Sequence, residues 1–336
     1  RYECRHGLGY SVIQTQYRNI STQTTYLVPK GENLELWCCV VKNTSSTCRK
    51  LEIYPFIEFC LYDALNDMTD YQYNLNIGTT EFDAESNTIY HTTEHNVKRD
   101  IFTYFSVNRP VSGYDSQRSS FLGNYGDFSA PRAVVESQCC NSLAIGWAPV
   151  GAFKIELDLA PGQEETIVVT LGVAKLRGEE KPLLGKYQSL SDVNQALATL
   201  REYWEENLAK FQTKTPDEDV NTMINIWNQY QCRTTFNWSR SASYYESGIG
   251  RGMGFRDSCQ DTLGFVHMIP QDVRQRLIDI ASTQFKRGDA YHQYSPLTKK
   301  GNCGGFSDDH LWLIIAIAQY LKETGDFQLL DEHAPY

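Results

Sequence analysis

No stretch of this 336-residue sequence approaches the roughly 18 uninterrupted apolar residues that span a bilayer. The most apolar run, Leu311 to Ala318, has only the length of a helix core. No basic stripe stands out either. Lys and Arg total 31 against 41 Asp and Glu, giving a formal charge of −10, and the densest basic pair is Lys299-Lys300. Such a chain repels a phosphate backbone, which argues against nucleic acid as a partner. The ten cysteines contain no Cys-x-x-Cys pair, so no metal site and no thioredoxin-type motif is indicated. Internal repeats and low-complexity tracts are absent. A signal-type segment is absent too, but the chain begins at Arg1 rather than Met, so the native N-terminus is expected upstream.

What is present is a large apolar fraction, 41%, and 21 tyrosines. Most of the tyrosines suit strands; a minority on a surface would suit the C–H faces of sugar rings. The doublets Cys38-Cys39 and Cys139-Cys140 lie in strand-like runs, where neighbouring thiols point to opposite faces and act as small hydrophobes. A chain of this size does not need disulfides, so reduced thiols and a cytoplasmic location are expected.

Two different periodicities divide the chain. Thr24–Val28, Leu34–Val41, Leu51–Leu61, Ile101–Val107, Phe153–Leu159 and Thr166–Ala174 are β-branched or aromatic runs bounded by turn residues, among them Ala160-Pro161-Gly162-Gln163. Strands without intervening helices predict an antiparallel sandwich. From about residue 188 the period becomes helical. Val193, Leu197, Leu200, Trp204, Leu208 and Phe211 share a face of a helix opening near Ser191. Thr215-Pro216-Asp217-Glu218 reads as a capping box with proline at the first helical position, followed by the stripe Val220, Met223, Ile224, Trp227 and Tyr230. Pro270 opens a helix carrying Val273, Leu277 and Ala281. Ser307-Asp308-Asp309 opens a fourth, apolar on most faces and therefore expected to be buried, ending at Gly325. The acids at 308 and 309 there complement the helix dipole.

The densest unusual segment runs from Tyr244 to Asp261, with glycines alternating at 248, 250, 252 and 254. A backbone bare on one face can approach packed chain or ligand closely. It is no P-loop, since no Gly-Lys-Ser/Thr follows, and Met253 occupies the place of the third glycine in a dinucleotide fingerprint. There remain Arg251, Arg256, Asp257 and Asp261 in what reads as a glycine-lined loop between helices. An arginine fork beside a carboxylate can grip vicinal sugar hydroxyls; equally, these charges can tie the loop down by ion pairs.

The stretch Gly-Ile-Gly-Arg-Gly-Met-Gly-Phe-Arg-Asp-Ser-Cys-Gln-Asp, at 248–261, resembles the signature of cellobiose phosphorylases and their chitobiose and cellodextrin relatives. The resemblance extends to Arg5–Tyr10, Ala144–Pro149, Ala290–Tyr294 and Gly305–Asp309, and so covers nearly the whole chain. It implies a β-sandwich at 1–187, a helical linker at 188–214 and, at 215–336, the first part of an (α/α)6 catalytic barrel. It also implies inverting phosphorolysis: a β-glucoside such as cellobiose plus inorganic phosphate gives α-glucose 1-phosphate and the released sugar, with no organic cofactor and no metal. Phosphate is already anionic and replaces the base-activated water of an inverting glycosidase, so a single carboxylic acid suffices. In the family that acid lies well downstream of the signature, which places it beyond Tyr336 and leaves these 336 residues alone without activity.

By the same resemblance Arg251 and Asp257 bind the hydroxyls of the non-reducing glucose. Gln72, in Tyr71–Leu75, matches a sandwich loop that can border a neighbouring subunit's site in a homodimer, although Tyr73 stands where the family often has arginine. His292, between Tyr291 and Gln293, is either a site-lining or a structural histidine. The cellobiose reading competes with phosphorylases of cellodextrin, laminaribiose or chitobiose. It competes also with a hydrolase on the same architecture, which would need a second catalytic carboxylate, and with a non-catalytic carbohydrate-binding protein.

Overall fold

The computed structural model describes residues 1–61, 78–93, 101–238, 242–243, 248–249, 252–295 and 300–335. Strands come first: β1 (Tyr2–Gly7), β2 (Tyr10–Tyr17), β3 (Ile20–Leu27), β4 (Leu34–Asn43), β5 (Arg49–Ile53), β6 (Phe56–Glu58), β7 (Gly78–Asp83), β8 (Thr88–Thr93), β9 (Phe102–Val107) and β10 (Gly113–Gln117). Two short helices, α1 (Arg118–Leu122) and α2 (Arg132–Val135), precede the long strands β11 (Pro149–Leu159) and β12 (Glu164–Ala174). Eight strands form one sheet in the order β1-β2-β3-β4-β12-β9-β8-β7; β10, β11 and β5 form a second, with β6 also on β11. The pairings are antiparallel.

Alternation along the strands puts the core between these sheets. On β11, Ile155, Leu157 and Leu159 are buried while Glu156 and Asp158 are exposed. Val41, Ile89, Phe105, Phe153, Ile167 and Val169 complete the core, with Phe105 and Phe153 stacked at 5.2 Å. The Ala160–Gln163 turn forms as its sequence requires, Gln163 N–H donating to the Ala160 carbonyl at 3.1 Å.

The expected strand Leu51–Leu61 is broken in two. Pro55 has no N–H to give to a ladder, so the chain re-pairs around it: β5 lies along Ile155–Leu159 and β6 along Val150–Ala152. Strands β1 and β2 escape the sequence reading because they are polar and half exposed, as Ser11-Val12-Ile13-Gln14-Thr15-Gln16 illustrates. The Cys139-Cys140 doublet lies in a loop after α2 rather than a strand, with Cys139 buried and Cys140 exposed.

Helices follow: α3 (Lys181–Lys186), α4 (Leu190–Leu208), α5 (Glu218–Thr222), a π-helical stretch Met223–Asn228 continuing into α6 (Gln229–Trp238), α7 (Phe255–Leu263), α8 (Pro270–Ala281) and α9 (Asp309–Thr324). The chain divides into two compact units, Arg1–Arg201 and Glu202–Tyr336. On α4, Val193, Leu200, Trp204 and Leu208 are buried as the period predicted; Phe211 falls beyond the helix and is half exposed.

The cap of α5 differs from the expectation. Asp217, not Thr215, is the N-cap, its carboxylate accepting from the N–H groups of Asp219 and Val220, so Pro216 precedes the helix. Most of the apolar stripe is not inward: Val220, Met223 and Trp227 are exposed, while Ile224 is half-buried and Tyr230 packs on Trp204 at 4.9 Å. The buried side is a ladder of amides. Asn221 exchanges hydrogen bonds with Thr215, Asn225 with Thr213, and Gln229 donates to the Phe211 carbonyl. Satisfying the backbone of 211–215 through spaced amides fixed which face turned inward.

On α8, Val273, Leu277 and Ile280 are buried; on α9, Leu313, Ala316 and Tyr320. The opposite side of α9 is open in these 336 residues: Leu311, Ile314 and Ile315 are exposed. No helix among the described residues is long and apolar enough to cross a membrane.

Candidate functional site

The glycine-rich segment does not end in a loop. Met253-Gly254 is a two-residue strand, and Phe255–Leu263 is helix α7, with Gly254 as its N-cap in extended conformation. Arg256, Asp257 and Asp261 therefore stand on a helix rather than on a loop. The face that α7 buries carries Phe255, Ser258, Cys259 and Thr262, a helical spacing filled mostly by small or polar residues.

Two glycines have identifiable reasons. Gly252 has φ +83°, and a β-carbon there would lie 2.7 Å from the Tyr294 carbonyl oxygen. At Gly254 a β-carbon would collide with the Asp257 carboxylate. Asp257 is three residues past the N-cap, where an acid reaches back over the first turn and meets the positive end of the helix. The bare backbone thus accommodates packed chain at 252 and the Asp257 carboxylate at 254.

A small sheet carries the segment. After β13 (Ala242–Ser243) and β14 (Gly248–Ile249), which pair with each other, β15 (Met253–Gly254) pairs with β16 (Gln293–Ser295), and β16 with β17 (Lys300–Asn302). Phe255 N–H donates to the His292 carbonyl at 3.0 Å, and His292 N–H to the Asn302 carbonyl at 2.7 Å.

His292 is the hub of the next layer. Its ring stacks on Phe306 at 3.9 Å, and Nδ1 lies 2.8 Å from Asp309 Oδ2. Asp309 opens α9, is 3% exposed, and its Oδ1 has no partner among the described residues. Its neighbour Asp308 is the N-cap and accepts from Trp312 Nε1 at 3.3 Å and from Arg256 at 3.0 Å. These two donors hold the Asp308 carboxyl below its ordinary pKa. Asp308 thus braces α7 against α9, while Asp309 is committed to the histidine.

Three segments distant in sequence, Gly252–Asp261, Ala290–Tyr294 and Gly305–Asp309, are brought together in this way. Arg256 serves as a brace through Asp308. Asp257 is half-buried at the head of α7, and His292 is mostly buried against Phe306 and Asp309. Arg251 and Gln72 lie outside the described residues. The histidine–aspartate pair went unread in the sequence, because seventeen residues separate its members and only the fold joins them. Cys259, inside the same cluster, is fully buried, and burial pushes its thiol up to about 12, with Asp309 and Asp261 adding to the effect. It stays protonated and is no nucleophile. Among the described residues, no group of His, Cys, Asp and Glu is arranged to hold a metal ion.

Comparison with known proteins gives this geometry a family. Residues 1–190 match the glycosyl hydrolase 94 supersandwich domain, and residues 203–336 the catalytic domain of the glycosyl hydrolase 94 superfamily. An N,N′-diacetylchitobiose phosphorylase of Vibrio furnissii is 34% identical over 367 aligned positions, covering 100% of this chain and 45% of the relative. A solabiose phosphorylase of Paenibacillus borealis is 28% identical, covering 100% of this chain and 42% of the relative. The chain thus spans less than half the length of these relatives. Among solved structures, a bacterial glucoamylase complexed with acarbose superposes with a TM-score of 0.54 at 12% identity, covering 96% of this chain and 47% of that one, a likeness of fold. With both its sandwich and its helical part matched in order, the chain belongs to the glycosyl hydrolase 94 superfamily.

Proposed function

We propose that the full-length protein is an inverting phosphorylase of a β-linked disaccharide, and that Asp257 and Arg251 hold the hydroxyls of its non-reducing sugar. The observation that carries this reading is the placement of Asp257 at the head of α7, beside a bare glycine strand, within the part matching the family's catalytic domain. A carboxylate fixed there accepts charge-assisted hydrogen bonds from two adjacent hydroxyls. Inorganic phosphate is the co-substrate and nucleophile. The proton donor is an aspartate supplied from outside these 336 residues, and no organic cofactor or metal takes part. His292, held by Asp309, positions the strand that pairs with the glycine segment. In the same reading the protein is a cytoplasmic homodimer, with Gln72 bordering the partner's site.

Two donors compete. The resemblance of the sandwich segments Arg5–Tyr10 and Ala144–Pro149 favours cellobiose, whereas the 34% identity to diacetylchitobiose phosphorylases of two Vibrio species favours the N-acetylated sugar. Assays of the full-length protein with each disaccharide decide between them. The expected product is the corresponding sugar 1-phosphate, formed only when phosphate is present. Equal turnover in phosphate-free buffer, yielding two monosaccharides, would identify a hydrolase instead. Binding of disaccharide without turnover in either buffer would leave a carbohydrate-binding protein.

A further inference from the structure

Beside the glycine strand lies a partly enclosed pocket of about 280 Å³, lined by Met253, Gly254, Phe255 and Ser258 from the strand and α7, by residues of α8 around Arg276 and Asp279, and by Tyr291 and Tyr294. Ser258 follows Asp257 directly, so its side chain leaves α7 about 100° around the axis. None of Asp257, His292 or Asp309 lines this pocket.

Three of its features are unexplained by packing. Ser258 is 1% exposed, and its Oγ has no hydrogen-bond partner among the described residues. Leaving such a hydroxyl unsatisfied is costly, and a helical serine ordinarily bonds back to its own turn. Arg276 is desolvated, and burial lowers its pKa. One nitrogen donates to the Phe236 carbonyl at 3.1 Å and the guanidinium sits 4.3 Å over the Phe236 ring, but it forms no ion pair among the described residues. A longer contact of 3.9 Å runs from the same nitrogen to the Met253 sulfur, which leaves three of its five donors without a partner among the described residues. Finally, the rings of Tyr291 and Tyr294 stack at 5.8 Å as one aromatic wall, and both belong to the lining.

We infer that this pocket is a second sugar site, taking one neutral monosaccharide. The charge of Arg276 is balanced by Asp279 on the same helix, so the pocket offers a donor and an acceptor without a net charge that would select an anion. Donor, acceptor, an idle hydroxyl and an aromatic wall together match a polyhydroxyl ring. The volume falls just below the ~300–1,000 Å³ of sites for drug-sized ligands, which suits a single ring. A sugar bound there touches the strand that leads into Asp257, so occupancy couples monosaccharide concentration to the disaccharide-binding segment.

The test is equilibrium dialysis of labelled D-glucose against the full-length protein and its Asp257→Asn variant. The variant is expected to retain one glucose per chain. Adding Arg276→Met, or separately Thr283→Phe, which fills the pocket from α8's exit, should weaken that remaining binding at least tenfold. The two substitutions act by different means, and circular dichroism melts establish that each protein is folded. Retention of glucose unaltered by both pocket variants would overturn the assignment, as would its absence from the Asp257→Asn protein. Inorganic phosphate displacing glucose from the pocket would overturn the ligand class. If the Asp257 reading alone is wrong, the Asp257→Asn protein binds two glucoses and the pocket variants still remove one.

Discussion

At the scale of single residues, Asp257 and its neighbours show how differently adjacent carboxylates are used. Asp308 is exposed enough to brace Arg256, whereas Asp309, one position on, is buried and bound to His292. Both were expected to complement the helix dipole, and both stand at the start of α9; only the three-dimensional neighbourhood distinguishes them. For substrate binding, Asp257→Asn and Arg251→Ala in the full-length enzyme should each remove a charge-assisted hydrogen bond of about 1.5–3 kcal/mol. At about 1.4 kcal/mol per factor of ten, kcat/KM falls roughly ten- to a hundredfold. The acidic limb of the pH–rate profile should keep its midpoint in Asp257→Asn if, as proposed, the proton donor is a different aspartate. Normal kcat/KM together with a melting temperature several degrees lower would show that the pair only braces its segment.

At the scale of elements, the hidden helix is α7. Its buried face, Phe255-Ser258-Cys259-Thr262, has helical spacing but little apolar character, so a search for hydrophobic period passes over it. The strand before it is set by backbone approach. Gly252→Ala should therefore cost about 1–3 kcal/mol, from a left-handed φ and from a collision with the Tyr294 carbonyl. Thermal unfolding measures that loss, and kcat/KM should fall with it because β15 leads directly into α7. A melting curve unchanged by the substitution would mean that β15 and β16 do not meet at this register. The α5 stripe teaches the converse: Val220, Met223 and Trp227 have the right period, but the amides of Asn221, Asn225 and Gln229 claimed the inward face.

At the scale of the whole molecule, the sandwich carries an acid-sensitive group in its core. His91 is 2% exposed, stacks on Phe59 at 4.7 Å, and its Nδ1 has no partner among the described residues. Burial lowers its pKa to about 4 from 6.5, so the folded state favours the neutral ring. The stability this confers is fully present above pH 6.5 and is lost as pH falls toward 4, reaching about 2–3 kcal/mol by linkage. Calorimetry of the sandwich between pH 7 and 4 should show that fall, and His91→Leu should flatten it. A slope unaltered by the substitution would locate the acid sensitivity elsewhere, for instance in Glu52, which its bond to Lys154 holds down to about 2 and which acts only below pH 4.5. In the helical unit, Leu311, Ile314 and Ile315 lie exposed on α9 and Met223 and Trp227 beside α6. Exposed apolar faces of this kind promote association. Residues 1–336 expressed alone should accordingly be prone to aggregate and show no phosphorolysis; a monodisperse, active preparation would place the catalytic acid within this chain.

The amino-acid sequence by itself determined the change from a two-residue to a 3.6-residue period, and with it the order of sandwich and helices, because periodicity is a local property of apolar spacing. It also marked the glycine segment as a place of close approach. Only the tertiary structure decided what the approach was to: the Tyr294 carbonyl at Gly252 and the Asp257 carboxylate at Gly254. The pairing of His292 with Asp309, the bracing of Arg256 by Asp308 and the pocket behind Ser258 belong to the same class. Each joins residues from separate elements, and no local pattern encodes which side chains a folded chain will set within hydrogen-bond reach.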